Sequence, residues 1–531
     1  MGVGVVLILF SPYLFPGIVE GSDDTFHLIR ISSLATALRN GVFPVKFHAT
    51  LCRGFGYGVG FFYPNLFLYV PAMLINLGVS QNIAYKIFAF LVMSAIWGTT
   101  YYSSMRIEKD ERAAFLAASV FLLSNRIAGG FYLDFTIGNL LGAIFMPVAI
   151  VGMYLVLARN EKPTMLVIGF CGLIYTHPIS LLLTFIVCAV FAIIYIKSIF
   201  CQRNILFKLV LSVCMVVGIG AAVWVPMLDQ YKAHSMKVSR PWTQVENNTI
   251  HFKSLLDGRG TNYVILIAVV LALIVCIFCH KQIVEKDRFI VCALVVGVVF
   301  LILPTIKSFW VVFHETVNII QFPARLLLPA SVLICLALGQ AISYIKKDMV
   351  VNLLVTLLVG ASILNFFVEF GDDCVKRLDL TGRTLETEID GIGSGEEWLP
   401  LQTTREMFKE KEVAVDSFRN RIKGKKSAGD SVFEFRVQKG VEYCDVPYVY
   451  YRGLIAEAED GTRYKIDENP ETGLARVFLE NIQEETYITV TFEGTFYQKC
   501  SYLCTIVSLI VTIALLTLPK YVAIPKRKNE P

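Results

Sequence analysis

Residues 140–158 read LLGAIFMPVAIVGMYLVLA, nineteen positions without a single charged side chain. About 20 apolar residues let a helix cross the hydrocarbon core of a bilayer. Working outward from this run, comparable stretches lie near 2–19, 82–105, 113–128, 164–178, 179–198, 207–226, 263–280, 289–304, 326–345, 349–370 and 501–524. Together they predict an α-helical polytopic membrane protein with about twelve transmembrane helices. The composition agrees: of 531 residues 55% are hydrophobic and 17% charged, with a mean hydropathy of +0.60. An average soluble domain carries about 25% charge, so disorder and an ordinary soluble enzyme are both excluded. Forty-eight basic against forty-three acidic residues leave a net charge of +5, too even a balance for nucleic-acid binding. Most of the thirteen cysteines sit inside apolar runs, as small buried hydrophobes do, which argues against a disulfide scaffold or a zinc domain.

Short loops rich in Lys and Arg face the cytoplasm. Arg106/Lys109/Arg112, Arg159/Lys162, Lys197/Arg203/Lys208, Lys281/Lys286/Arg288, Lys346/Lys347 and the tail Lys520…Lys528 fall on one side if 64–78, PNLFLYVPAMLINLG, does not cross. That segment, short and holding Pro64 and Pro71, reads as an interfacial or re-entrant helix. Both termini are then cytoplasmic, and no small-residue cleavage site follows the first span, which reads as uncleaved.

Three segments are left outside: about 20–81, 226–263 and 371–500. The last is polar and holds VFEFRVQ (432–438) and TYITVTFEGTF (486–496), whose alternation reads as strands. Asp460-Gly461 and Thr472-Gly473 are turn signals between them. The expected organisation is therefore a membrane domain (1–370), a small extracytoplasmic β-rich domain (371–500), and a final helix with a basic cytoplasmic tail (501–531). No internal repeat is visible.

The chemistry-bearing residues gather on the outer side. Asp23 and Asp24 follow the first span directly, and Phe26, Ile29, Leu34 and Leu38 continue as an amphipathic helix. Helical spacing brings Asp23 beside His27, with Arg30 close by. Either acid can instead be a helix cap, which explains one carboxylate but not two. The stretch Arg53-Gly-Phe-Gly-Tyr57-Gly-Val-Gly-Phe-Phe-Tyr63-Pro64 fits two readings: an interfacial aromatic belt, or a groove that stacks sugar rings or holds a lipid headgroup. Asn125-Arg126 and Asp134…Asn139 flank a break between spans, and Thr176-His177-Pro178 sits at the outer hairpin between two spans. His314-Glu315 precedes Gln321-Phe-Pro-Ala-Arg325 at the outer end of another span. A guanidinium at a helix start opposes the macrodipole, so Arg325 calls for an anionic partner such as a lipid phosphate, or snorkels to headgroups. His177 is either a satisfied structural histidine or a site residue. Asn247-Asn248-Thr249 matches a glycosylation sequon.

G-x-D-x-x-F-H-L-x-R-I (21–31), G-x-x-P (41–44), G-Y-G…F-Y-P (56–64), Q-F-P-x-R (321–325) and V-P-Y-x-Y-Y-R-G…G-L-A-R-V-F-L (446–479) resemble bacterial polytopic proteins called 6-pyruvoyl-tetrahydropterin-synthase-related, close to the YfhO-like group. Their architecture looks like the C-type (GT-C) integral-membrane glycosyltransferases. The resemblance implies transfer of a sugar from a polyprenyl-phosphate donor to an extracytoplasmic glycan or protein acceptor. Asp23, assisted by Asp24, is the expected catalytic group. His27, Arg30, Arg325, Gln321, Tyr57, Tyr63, Arg126 and His177 are the expected donor and phosphate contacts. A divalent cation (Mg2+ or Mn2+) on Asp23 and Asp24 is optional. Ala324 stands where relatives favour an aromatic residue, and Asn139 where they favour an acid. The rival classes are a lipid or oligosaccharide transporter or flippase, and a non-catalytic membrane scaffold.

Overall fold

A computed structural model describes residues 1–517 apart from 234, 241, 256–262, 280–287, 383–391, 394 and 481. Lys281, Lys286, the end of the last expected span and the basic tail lie outside the described residues. The chain starts with α1 (Gly2–Phe10), which runs into a 3-10 turn, and β1 (Ile18–Val19). The first outer loop then folds as α2 (Asp24–Arg39), α3 (Val59–Phe62) and α4 (Tyr69–Asn76). The apolar bundle continues with α5 (Gln81–Glu108), α6 (Glu111–Leu122), α7 (Asn125–Tyr132), α8 (Ile137–Arg159), α9 (Thr164–Ile174), α10 (Pro178–Ile194), α11 (Ile196–Cys201), α12 (Arg203–Ile219), α13 (Ala221–Tyr231) and α14 (Tyr263–Phe278). It closes with α15 (Phe289–Ile302), the short α16 (Lys307–Val312) and α17 (His314–Val317), then α18 (Leu327–Ser343), α19 (Asp348–Phe370) and α20 (Phe496–Thr517).

Among the described residues, five helices are long and apolar enough to cross a membrane: α5, α8, α18 with its leading turn, α19 and α20. Two pairs pass the same test together, α6 with α7 bent by 42° and α12 with α13 bent by 65°. The other expected spans fall on shorter apolar helices. A bent span frees backbone groups that must find partners. At the α12–α13 break the Ile219 carbonyl accepts from the Tyr175 hydroxyl (2.7 Å) and Thr505 Oγ1 (3.1 Å), while Lys46 Nζ donates to the Ala222 carbonyl (2.9 Å).

The basic connections meet at one end of the bundle. Arg106 pairs with Glu161, Arg159 donates to the Ile107 carbonyl (2.8 Å), Lys208 to Asn160 Oδ1 (2.7 Å), and Arg112 to Asp348 (2.7 Å). Cys276, on the apolar α14, and Cys279, just past its end, form a C-x-x-C pair and are unbridged, in keeping with a packing role.

Beyond α19, β2 (Arg377–Leu378) pairs antiparallel with β1. The expected β-rich domain is present but begins later than residue 371. It comprises β3 (Val413–Asp416), β4 (Arg421–Ser427), β5 (Val432–Val437), β6 (Tyr443–Val449), β7 (Leu454–Ala458), β8 (Arg463–Tyr464), β9 (Ile466–Glu468), β10 (Leu474–Phe478) and β11 (Thr486–Phe492). The strand order is β8-β7-β11-β5-β4-β3-β6-β10-β9. The two edge strands are adjacent in sequence, so the sheet curls until its edges meet, as in a barrel. Alternation puts Phe433, Phe435, Val437, Val446, Ile488 and Val490 inside.

The glycine-aromatic stretch of the first loop is not a plain aromatic belt. Its last residues, Phe62 and Tyr63, line a cavity, and the residues before them form the seam against this domain. The Phe55 carbonyl accepts from Val449 N (2.8 Å), and Phe47 and Phe61 pack on Tyr451 and Phe492. Gly56, at φ +80°, lies against the Phe47 ring, and Gly58 against Tyr451, so a Cβ at either position would collide.

Candidate functional site

A cavity of about 1350 Å³ opens at the end of the bundle opposite the basic connections. Its polar end draws on five separate stretches of chain: Asp23, His27 and Tyr63 from the first loop, Arg126, Asp134 and Asn139 around the α7–α8 break, His177 from the α9–α10 hairpin, Gln321 and Arg325 ahead of α18, and Glu397 from the approach to the β-domain. The rest is an apolar limb walled by α8, α9, α10 and α12. Both Asn139 and Met153 of α8 line the cavity, so it runs about 21 Å along that helix at 1.5 Å per residue. Phe185, Val213 and Val217 line the limb and are each more than half exposed, leaving it open sideways between α10 and α12.

Backbone pairing places the first acid. Ser22 N and Asp23 N donate to the carbonyls of Leu133 and Asp134 (3.1 Å each), which ties the end of the first span to the α7–α8 break. Asp23 is the N-cap residue of α2, but its side chain makes no capping bond, so its carboxylate remains available to the cavity. Partial burial, then Asp134 and Glu397, raise its pKa to about 6, while Arg325 opposes the shift. Glu397 is raised as well, again by burial, with Arg325 and a Gln321 hydrogen bond pulling it down. Arg325 Nη1 donates to the Ile320 carbonyl (2.8 Å) and Gln321 Oε1 (3.2 Å), and its guanidinium stands over the Phe322 ring. Among the described residues neither Arg325 nor Arg126 has a carboxylate within 4 Å, and Arg126 Nε has no partner. Two guanidiniums thus face one cavity with no carboxylate in direct contact, a pattern suited to receiving an anion, and Asp23, Asp134 and Glu397 line the same end.

Two neutral imidazoles complete it. His177 Nδ1 accepts from Ser180 N (3.2 Å), which caps α10 and leaves the ring's N–H on Nε2. His177 is thus a helix cap and a cavity residue at once. His27 is buried, its Nδ1 has no partner, and burial, Arg30 and His177 push its pKa well down. Tyr63 stands edge-on to His177, with ring centroids 5.7 Å apart, and its hydroxyl occupies the space a side chain at Gly138 would need.

Three expected site residues are placed elsewhere. Asp24 does not line the cavity: its carboxylate accepts from Gly21 N (3.2 Å), Thr25 N and Thr25 Oγ1 (2.9 Å), so it secures the first turn of α2. Asp23 and Asp24 therefore do not converge on a cation, and among the described residues no cluster of three or more His, Cys, Asp or Glu could hold one. Arg30 is fully buried behind the cavity wall. Its Nη2 donates to the Tyr63 carbonyl (3.1 Å) and Asn65 Oδ1 (2.7 Å), with the Tyr63 ring 4.4 Å away. It clamps the 63–65 turn and makes no contact with the cavity. Tyr57 is also buried; Trp398 N donates to its hydroxyl (3.3 Å), so it props the segment carrying Glu397. His314 pairs with Glu246 (2.8 Å), away from the cavity.

Sequence reasoning had no role for Asp134, Glu397 or Trp398. Asp134 borders a break that was visible in the sequence. Glu397 and Trp398 sit in a polar stretch with no motif, where a lone tryptophan was the only signal.

The chain belongs to the family DUF6541, described as a family of unknown function, which it matches over residues 2–310. No curated protein matches it. Asp23, His27, Tyr63, Arg126, Asp134 and His177 fall within the matched region, while Gln321, Arg325, Glu397 and Trp398 follow it.

Proposed function

We propose that this is a GT-C-like membrane glycosyltransferase of about twelve spans, with both termini cytoplasmic and the β-domain outside, that uses a polyprenyl-phosphate-linked sugar. The observation that carries the reading is the shape of one cavity: a head with two guanidiniums that make no direct ion pair, continuous with an apolar limb about 21 Å long that is open to the side. An amphipathic ligand with an anionic head and a long hydrocarbon tail satisfies both halves, and it can enter from the bilayer between α10 and α12. The basic connections at the opposite end support an extracytoplasmic mouth.

In this reading the acceptor hydroxyl attacks the anomeric carbon while the bond from that carbon to the phosphate oxygen breaks. Asp23 accepts the hydroxyl proton, and its raised pKa suits a base working near neutrality. Charge growing on the departing lipid phosphate is met by Arg325 and Arg126, with His177 and His27 as neutral hydrogen-bonding neighbours. Asp24 secures α2 and takes no part in the chemistry.

Asp23→Asn tests the assignment. In vesicles supplied with labelled polyprenyl-phosphate sugars, transfer should fall by about 10²-fold or more, the lower end of general-base contributions, with lipid capture unchanged. Undiminished transfer would remove the base from the mechanism. A lipid transporter or flippase is the second reading, favoured by the lateral opening. Bilayer-crossing flux of the lipid without sugar transfer would select it.

A further inference from the structure

The cavity is larger than the roughly 300–1,000 Å³ that one small ligand fills, and the head and limb described above leave one wall unused. That wall is aromatic. Three of the chain's five tryptophans, Trp224, Trp242 and Trp398, line this one cavity. Trp398 is held from behind: its indole stacks on Phe62 with centroids 4.8 Å apart and planes 5° apart. Its backbone is pinned on both sides, since Trp398 N donates to the Tyr57 hydroxyl (3.3 Å) and its carbonyl accepts from the Tyr451 hydroxyl (2.7 Å). Trp242, 55% exposed, stands on the neighbouring loop, against Gly395 and Phe322. That loop is joined to the Trp398 segment by backbone bonds from Lys237 N to Leu399 O and from Val238 N to Glu397 O (2.9 Å each), and by a Lys237–Glu396 ion pair.

A rigid aromatic face beside a half-buried carboxylate is the combination that holds a sugar ring: the C–H face packs on the indole and a hydroxyl donates to the acid. We propose that Trp398, Trp242 and Glu397 form a saccharide subsite for the acceptor, so that the acceptor of this transferase is a glycan and not a protein. The inference rests on the transferase reading for its role in catalysis, while the saccharide binding itself is independent of it. The donor head and the acceptor ring then occupy adjacent parts of one cavity, whose polar end Asp23 and Glu397 both line. Acceptor selection belongs to the segment that leads into the β-domain.

The test uses the full chain in nanodiscs, titrated with methyl glycosides of glucose, galactose, N-acetylglucosamine and rhamnose while tryptophan fluorescence is followed. At least one glycoside should give a saturable change that Trp398→Ala weakens about tenfold or more, that Trp398→Phe partly restores, and that Glu397→Gln also weakens. The absence of any saturable change in the unmodified chain, or equal affinity in Trp398→Ala, would overturn the subsite. A parallel arm measures capture of a polyprenyl phosphate by native mass spectrometry. Loss of glycoside binding with lipid capture intact defeats this inference alone, whereas absence of lipid capture with glycoside binding intact defeats the donor reading alone.

Discussion

If Asp23 is the base, its titration should appear in the pH dependence of sugar transfer. An ordinary aspartate ionises near 3.8, whereas here partial burial and the neighbouring carboxylates of Asp134 and Glu397 raise the value to about 6. The base must be ionised to accept a proton, so transfer is lost as pH falls through that value. At pH 7 about nine-tenths of the enzyme carries the active form, and at pH 5 about one-tenth does, so the rate should drop roughly tenfold across those two units. The neighbours fix the sign of two further shifts. Asp134→Asn removes a negative charge that disfavours ionisation, so the acid limb should move to lower pH. Arg325→Lys keeps a positive charge nearby, so the limb should stay closer to its original position than in Arg325→Ala, where it should move upward. The assay is initial-rate transfer between pH 4.5 and 8 in proteoliposomes with saturating lipid-linked donor. A limb centred near pH 4, or one that Asp134→Asn leaves in place, would refute the electrostatic account of this site.

Replacing Arg325 by Ala removes a charge-assisted contact of about 1.5–3 kcal/mol, so capture of a polyprenyl phosphate should weaken about tenfold to a hundredfold; unchanged capture by native mass spectrometry would exclude a phosphate role. Arg30→Met takes away the buried clamp on the Tyr63 carbonyl and Asn65 and should destabilise the protein by about 1–3 kcal/mol, seen as a lower melting temperature in detergent; an unchanged melting temperature would count against the clamp. Gly56→Ala forces a Cβ into the Phe47 ring at a positive φ, and should cost about 1–3 kcal/mol and expose the first loop to limited proteolysis; a protected loop would show that the seam does not depend on that close approach.

The sequence alone determined the class of the molecule. Runs such as 140–158 are long and apolar enough to span a bilayer, and the alternation in 432–438 and 486–492 reads as half-buried strands, because hydrophobic period is a local property of the chain. It also drew attention to Asp23, His27, Tyr63, Arg126, His177, Gln321 and Arg325, all of which line one cavity. What it left open depends on direction. Adjacent residues on a helix point about 100° apart, so Asp23 reaches the cavity while Asp24 turns to its own backbone. Arg30, one helical turn beyond His27, passes behind the wall to the Tyr63 carbonyl instead. Pairing across hundreds of residues decided the rest. Glu397 and Trp398 carry no motif, and they enter the site only because the Lys237–Val238 loop, Tyr57 and Tyr451 hold their segment across the mouth. The glycines of 54–60 read as part of a belt or a groove until the Phe47 and Tyr451 rings are seen against them, since a glycine's neighbour, unlike its torsional freedom, is set only by the tertiary fold.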